Sequence, residues 1–279
     1  MIDSTLSTFT ATDGENLAVQ DWPLDEEQTL RGVVLIVHGL GEHAGRYDRL
    51  ARRLNEWGFA VRGFDQYGHG ESGGTRGALP SPNRLVNDLA DMVDSVRGRT
   101  PDGIPLIVLG HSMGGLVAAM MVALRPVRID GLVLSSPALQ VSLGRMQKFL
   151  LKILPRVAPN IGVRNRLDPN GLSHDPDVVN AYKADPLVHD RITPRLARFV
   201  AVGGPRVVRR AERWKTPTLL LYAGSDVLVD PQGSRKFAAN APAQLVTAVC
   251  FDELYHEIFN ELEAEPVYEA LWQWLDARF

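Results

Sequence analysis

Cysteine is almost missing from this chain of 279 residues: Cys250 stands alone. A single cysteine forms no intramolecular disulfide and fits a reducing compartment, so a cytoplasmic location is expected. Long apolar runs are missing as well. The longest, Leu116 to Leu124, has nine residues, against the ~20 that a bilayer-spanning helix needs. The first residues carry neither a basic region nor an apolar stretch, so no secretory leader is expected. Metal-ligand spacing is absent too: there is no His-Glu-x-x-His, no cysteine pair and no carboxylate array, and neither metal nor cofactor is expected. No Gly-x-x-x-x-Gly-Lys-Ser/Thr offers a phosphate cradle. Nor is there an excess of positive charge. Thirty Lys and Arg against 33 Asp and Glu leave a net charge of −3, which argues against nucleic acid as a partner.

What is present is the composition of a globular protein, 45% hydrophobic and 23% charged, enough for a large core. Two alternating stretches, Thr5–Thr10 and Leu17–Trp22, flank Asp13-Gly14 and read as a hairpin. Continuous apolar runs follow at 33–37, 59–64, 106–109, 132–134, 218–222 and 245–251, the pattern of strands buried on both faces of a parallel sheet. Helical patterns at 47–57, 84–96, 113–124, 231–240 and 258–279 alternate with them. Strand alternating with helix implies a doubly wound α/β sheet, whose sites lie beyond the C-terminal strand ends. One interval of about eighty residues, Leu134 to Thr218, holds helical patterns and no convincing strand. It is too long for a connection of ~2–6 residues and reads as an insertion that covers something.

The run Leu106-Ile-Val-Leu-Gly110-His-Ser112-Met-Gly114-Gly is strand, Gly-x-Ser-x-Gly, then helix. That context makes Ser112 a candidate nucleophile, presented on a sharp turn that the flanking glycines permit. A serine hydroxyl needs a base, and the base an orienting acid. Asp226 follows the run 218–222 and His256 follows 245–251, the chain order expected for this architecture. Asp230 and Asp252 are rivals for the acid, the former better suited to capping the helix at Pro231. Of the other histidines, His38, His43 and His69 are expected to hold loops, His111 to point away from the serine, and His174 and His189 to lie on the surface. Backbone N–H groups of Met113 and Leu40, the latter in the loop His38-Gly-Leu-Gly41, are candidate oxyanion donors.

Four separated motifs together resemble the α/β-hydrolase superfamily, and within it the monoacylglycerol lipase and lysophospholipase group of serine aminopeptidase-like hydrolases. They are His38-Gly-Leu-Gly-Glu42-His-Ala-Gly-Arg46-Tyr, Asp65-x-x-Gly-His69-Gly-x-Ser72-x-Gly, Gly110-His-Ser-Met-Gly-Gly115, and Ser225-Asp226 with Tyr255-His256. The resemblance implies an α/β-hydrolase fold with a mostly parallel eight-stranded sheet and helices on both faces. It implies one domain over 1–279 with an inserted helical cap, residues 138–213, and a triad of Ser112, Asp226 and His256 with Leu40 and Met113 at the oxyanion. Glu42 and Arg46 match the polar end of such sites, where they either meet a head group or brace the loop. Mammalian members look to have a second histidine three residues after the catalytic one; here Phe259 stands there.

The bland net charge is a cancellation. Residues 138–210 carry thirteen Lys and Arg against five Asp, a net of +8, which leaves −11 for the rest. Leu143, Met146, Phe149, Leu150, Ile153 and Val157 recur at helical spacing, with Arg145, Lys148, Lys152 and Arg156 on another face. This is the pattern of a helix resting on an anionic membrane surface, or of one whose apolar face covers an acyl pocket. The expected activity is hydrolysis of a small acyl ester, a monoacyl lipid in the first place, through an acyl-enzyme on Ser112. A carboxylesterase, a thioesterase, an acyltransferase and a ligand-binding relative with negligible turnover are the alternatives.

Overall fold

The apolar runs become the middle of a single sheet. A computed structural model describes residues 3–125 and 128–279. Its strands are β1 (Thr5–Thr10), β2 (Asn16–Trp22), β3 (Gly32–Val37), β4 (Phe59–Phe64), β5 (Leu106–His111), β6 (Gly131–Ser135), β7 (Val163–Arg164), β8 (Arg191–Ile192), β9 (Thr218–Ala223) and β10 (Val246–Phe251). Its helices are α1 (Asp48–Glu56), α2 (Arg84–Arg97), α3 (Ser112–Leu124), α4 (Arg145–Val157), α5 (Pro176–Ala184), α6 (Pro194–Val208), α7 (Gln232–Asn240) and α8 (Glu265–Asp276). The large sheet has eight strands in the order β1-β2-β4-β3-β5-β6-β9-β10. The hairpin β1–β2 and the β2–β4 pair are antiparallel, and every later pairing is parallel. This is the mostly parallel eight-stranded sheet with helices on both faces that the motifs led one to expect.

Alternation along the strands divides the core in two. Leu35 and Val37 of β3 join one apolar cluster with Leu89 of α2, Leu116 of α3 and Phe237 of α7. Their neighbours Val34 and Ile36 join the other, with Leu54 of α1 and Leu271 of α8. Burying each such side chain contributes about 1.5–3 kcal/mol, so β3 is anchored from both faces. The parallel strands all end on one edge. The loops after β3, β5, β9 and β10 therefore meet there.

Two readings are corrected. The pattern at 258–279 is not one helix: a short 3-10 turn at Ile258–Asn260 precedes α8, which has Pro266 in its first turn, where its missing N–H costs nothing. The interval between β6 and β9 is mainly helical but also holds β7 and β8, paired antiparallel over two residues each, too short to leave a period. Within that interval α6 sinks Leu196, Phe199 and Val207 into the sheet's own apolar cluster, whereas α4 buries no side chain fully. Among the described residues, no helix is long and apolar enough to cross a membrane.

Candidate active site

β5 runs without a loop into α3, and the residue at the junction is Ser112, with φ of +53°. A non-glycine residue in the left-handed region is strained, and the packing around it must hold it there. Gly114 shows how tight that packing is: a Cβ on it would lie 2.1 Å from the Val37 carbonyl oxygen. The turn thus lifts the serine over the C-terminal edge of the sheet. The first N–H groups of α3, Met113 among them, are left at the same place.

His256 reaches Ser112 from the loop after β10. Its Nε2 is 2.8 Å from Ser112 Oγ, and its Nδ1 is 2.6 Å from Asp226 Oδ2. A carboxylate only accepts, so Nδ1 carries the proton and Nε2 is free to accept the serine hydroxyl. The other oxygen of Asp226 accepts the N–H groups of Leu228 (2.8 Å) and Val229 (2.9 Å), which fix the carboxylate. Burial opposes a charge on His256. The Asp226 carboxylate, its hydrogen bond and the more distant Glu257 and Glu42 outweigh that, and the imidazole is held above its ordinary value.

The rival acids are engaged with other partners. Asp230 Oδ1 accepts from Gln232 N–H at the start of α7, and Asp252 Oδ1 faces Cys250 Sγ. Leu40 and Met113 both border the cavity onto which Ser112 and His256 open. Glu42 and Arg46 are brought together, with their polar atoms engaged. Glu42 accepts the Gly39 N–H (2.5 Å) and the Tyr47 hydroxyl (2.7 Å) and pairs with Arg46. Arg46 also grips Glu257 through both terminal nitrogens, at 2.7 and 2.9 Å, and lies over the Tyr182 ring. Against the cost of burial, Arg46 pulls the Glu42 carboxyl down to about 2. Glu42 borders the large cavity; Arg46 borders a second one of about 20 Å³, room for a single water.

The large cavity is about 1690 Å³. Beyond Ser112 and His256 it is lined by Leu143, Leu150, Leu151 and Leu154 from the region of α4 and by Ile192, Ala197 and Val200 from β8 and α6, with Arg164, Arg166, Lys183, Asp185 and Asp190 on its border. Met146, Phe149, Ile153 and Val157 of α4 point the other way and are 68%, 56%, 41% and 71% exposed. The apolar residues of α4 therefore face two directions.

His38 holds loops as expected, accepting Gln66 N–H at 2.8 Å, and His43 meets Asp185 at 2.8 Å. His111 turns to Ser135 Oγ at 3.1 Å, with its ring 4.7 Å from that of His256; burial and His256 push it down to about 4. His189 is half-buried rather than fully on the surface. Its ring lies 4.8 Å from that of the fully buried His69, tilted by 42°, it bonds Gly68 O, and burial lowers it to about 4. The sequence gives no sign of Glu257 or Glu261. Each is a buried acid that gains its role only when distant loops meet.

Residues 28–263 match the family described as "Serine aminopeptidase, S33". A monoacylglycerol lipase of Mycolicibacterium smegmatis is 36% identical, over 99% of both chains. A phospholipase of Bacillus subtilis, YtpA, is 33% identical over 85% of this chain and 92% of its own. The crystal structure of Paleococcus ferrophilus monoacylglycerol lipase superposes with a TM-score of 0.82 at 36% identity, over the whole of both chains. The match covers every loop that carries the site, and the chain belongs to the serine aminopeptidase S33 family of α/β-hydrolases, in the group that includes the monoacylglycerol lipases.

Proposed function

We propose that the chain hydrolyses monoacyl glycerol esters by way of an acyl-enzyme on Ser112. The hydrogen-bonded line Ser112, His256, Asp226, opening onto a cavity of about 1690 Å³ with a leucine-rich wall, carries the proposal. Ser112 Oγ attacks the ester carbonyl as His256 Nε2 takes its proton. The Leu40 and Met113 N–H groups receive the oxyanion, and His256 returns the proton to the departing alcohol. Water, deprotonated by the same imidazole, then releases the fatty acid. Asp226 keeps Nδ1 protonated and balances the imidazolium. Glu42 and Arg46, already engaged with Gly39 and Glu257, brace the oxyanion loop, and only Glu42 is left beside the head group.

Residues 138–213 act as the cap. Its inner side receives the acyl chain; its outer side, with Met146, Phe149, Ile153 and Val157 beside Arg145, Lys148, Lys152 and Arg156, rests on an anionic lipid surface from which substrate enters. A lysophospholipid is the second reading, favoured by Arg164, Arg166 and Lys183 on the cavity border. Rates over monoglycerides, lysophospholipids and short p-nitrophenyl esters decide between them. A medium- or long-chain monoglyceride giving the highest kcat/KM supports the proposal, and preference for short esters contradicts it.

A further inference from the structure

Glu261 lies in the turn between the 3-10 segment at Ile258–Asn260 and α8, and it is 2% exposed. Taking a carboxylate out of water is costly unless its lone pairs are met. Here they are. Oε1 accepts the backbone N–H of Tyr255 (2.7 Å) and faces His174 Nδ1 (2.9 Å). Oε2 accepts the backbone N–H of His174 (3.0 Å) and lies 3.2 Å from Ser173 Oγ. These donors come from two places. Tyr255 immediately precedes the proposed base, and Ser173 and His174 belong to the long interval between β6 and β9.

The two segments are joined further. Glu257 N–H donates to Leu172 O at 2.8 Å, and the His174 ring stacks on Tyr255 with centroids 3.7 Å apart. On the other side Gly171 is wedged against the loop that carries Asp226: a Cβ there would lie 2.5 Å from Val227 Cγ2. His256 N–H makes a long contact of its own to Gly171 O at 3.5 Å, and the shorter backbone bonds are those of its neighbours, Tyr255 to Glu261 and Glu257 to Leu172.

We propose that Glu261 is a positioning residue for His256, binding the Tyr255–Glu257 loop and residues 171–174 into one unit that sets the imidazole against Ser112. The proposal rests on the catalytic reading of Ser112 and His256. It follows that displacement of the interval at 171–174 is transmitted to the base. Glu261→Gln keeps the shape but turns an amide N–H₂ toward N–H donors, so the loop must shift. A misplacement of about 1 Å at a reacting group costs up to ~10²-fold.

The test is the second-order rate of labelling by a fluorophosphonate probe, with kcat and KM measured on the same folded protein. Glu261→Gln is expected to slow labelling and kcat by about tenfold to a hundredfold while KM stays within about twofold. The pH midpoint of labelling should move with them, which a purely structural role would not cause. His174→Ala, at a half-exposed ring, removes one of the bonds and should slow labelling about fivefold. Folded Glu261→Gln labelled at the wild-type rate overturns the proposal. Should that variant not fold, His174→Ala labelled at the wild-type rate overturns it instead. Wild-type protein that resists the probe overturns the catalytic reading on which the proposal rests, an outcome distinct from both.

Discussion

Ser112 Oγ and His256 Nε2 lie 2.8 Å apart although 144 residues separate them along the chain. The strained start of α3 presents one partner and the loop after β10 the other. The value of the contact depends on a third residue. With Asp226→Asn, an amide can donate to Nδ1, the tautomer reverses, and Nε2 loses its lone pair for the serine. Steady-state kinetics should show kcat falling by roughly 10⁴ with KM little changed.

As the proposed base, His256 must be neutral to act, and it is held above the usual 6.5 by the Asp226 carboxylate despite burial. The acid limb of kcat/KM is therefore expected to have its midpoint above 6.5, with activity lost as pH falls through it. Asp226→Asn, assayed for residual activity, should bring that midpoint down. A midpoint at or below 6.5 in the wild type would argue against the arrangement.

The elbow tolerates no side chain at Gly114. A methyl group there meets the Val37 carbonyl at 2.1 Å, which neither a strand nor a helix end can yield. Gly114→Ala should lose on the order of 3 kcal/mol of stability. Chemical denaturation, with the midpoint compared at unchanged m-value, measures it.

Stability should also fall on the acid side, at lower pH than activity does. Burial holds His38, His69, His111 and His189 below the ordinary imidazole value, the last two down to about 4. The unfolded chain binds these protons near 6.5 and the folded chain does not, so each contributes stability above pH 6.5 that is lost as pH falls toward its folded value. The size is about 1.4 kcal/mol per unit of separation. His256 is shifted the other way and offsets part of one such contribution. Melting temperature should decline from pH 6.5 to pH 4, and His189→Asn should flatten that decline.

The outer face of α4 makes a prediction of its own. Lys148→Glu with Lys152→Glu should weaken binding to vesicles containing anionic lipid by on the order of tenfold or more, while turnover of a short, dissolved ester stays unchanged. Sedimentation with vesicles of rising anionic content measures it; binding indifferent to that content would contradict the membrane role.

Much of this was legible in the residues alone because the relevant signals are local. The strand over Phe59–Phe64 has the bounds its apolar run suggested, and Ser112, Asp226 and His256 each stand just past such a run. What could not be read is created by distance. Arg46 meets Glu257 across 211 residues, and Glu261 meets Ser173 across 88; no spacing marks such pairs. His189 looked exposed because its cover, the His69 loop, lies far upstream. The stripe read in the sequence splits in the fold: Leu143 and Leu150 border the cavity, beside Leu151 and Leu154, which the stripe did not include, while Met146, Phe149, Ile153 and Val157 are exposed. Periodicity finds a face but not which neighbour takes it.

The most direct test of the central claim is to react the folded protein with a fluorophosphonate and map the adduct by peptide mass spectrometry. A single adduct on Ser112, absent from Ser112→Ala and accompanied by loss of monoglyceride hydrolysis in proportion to labelling, is the predicted result. Labelling at another residue, or hydrolysis that survives full modification of Ser112, would contradict it.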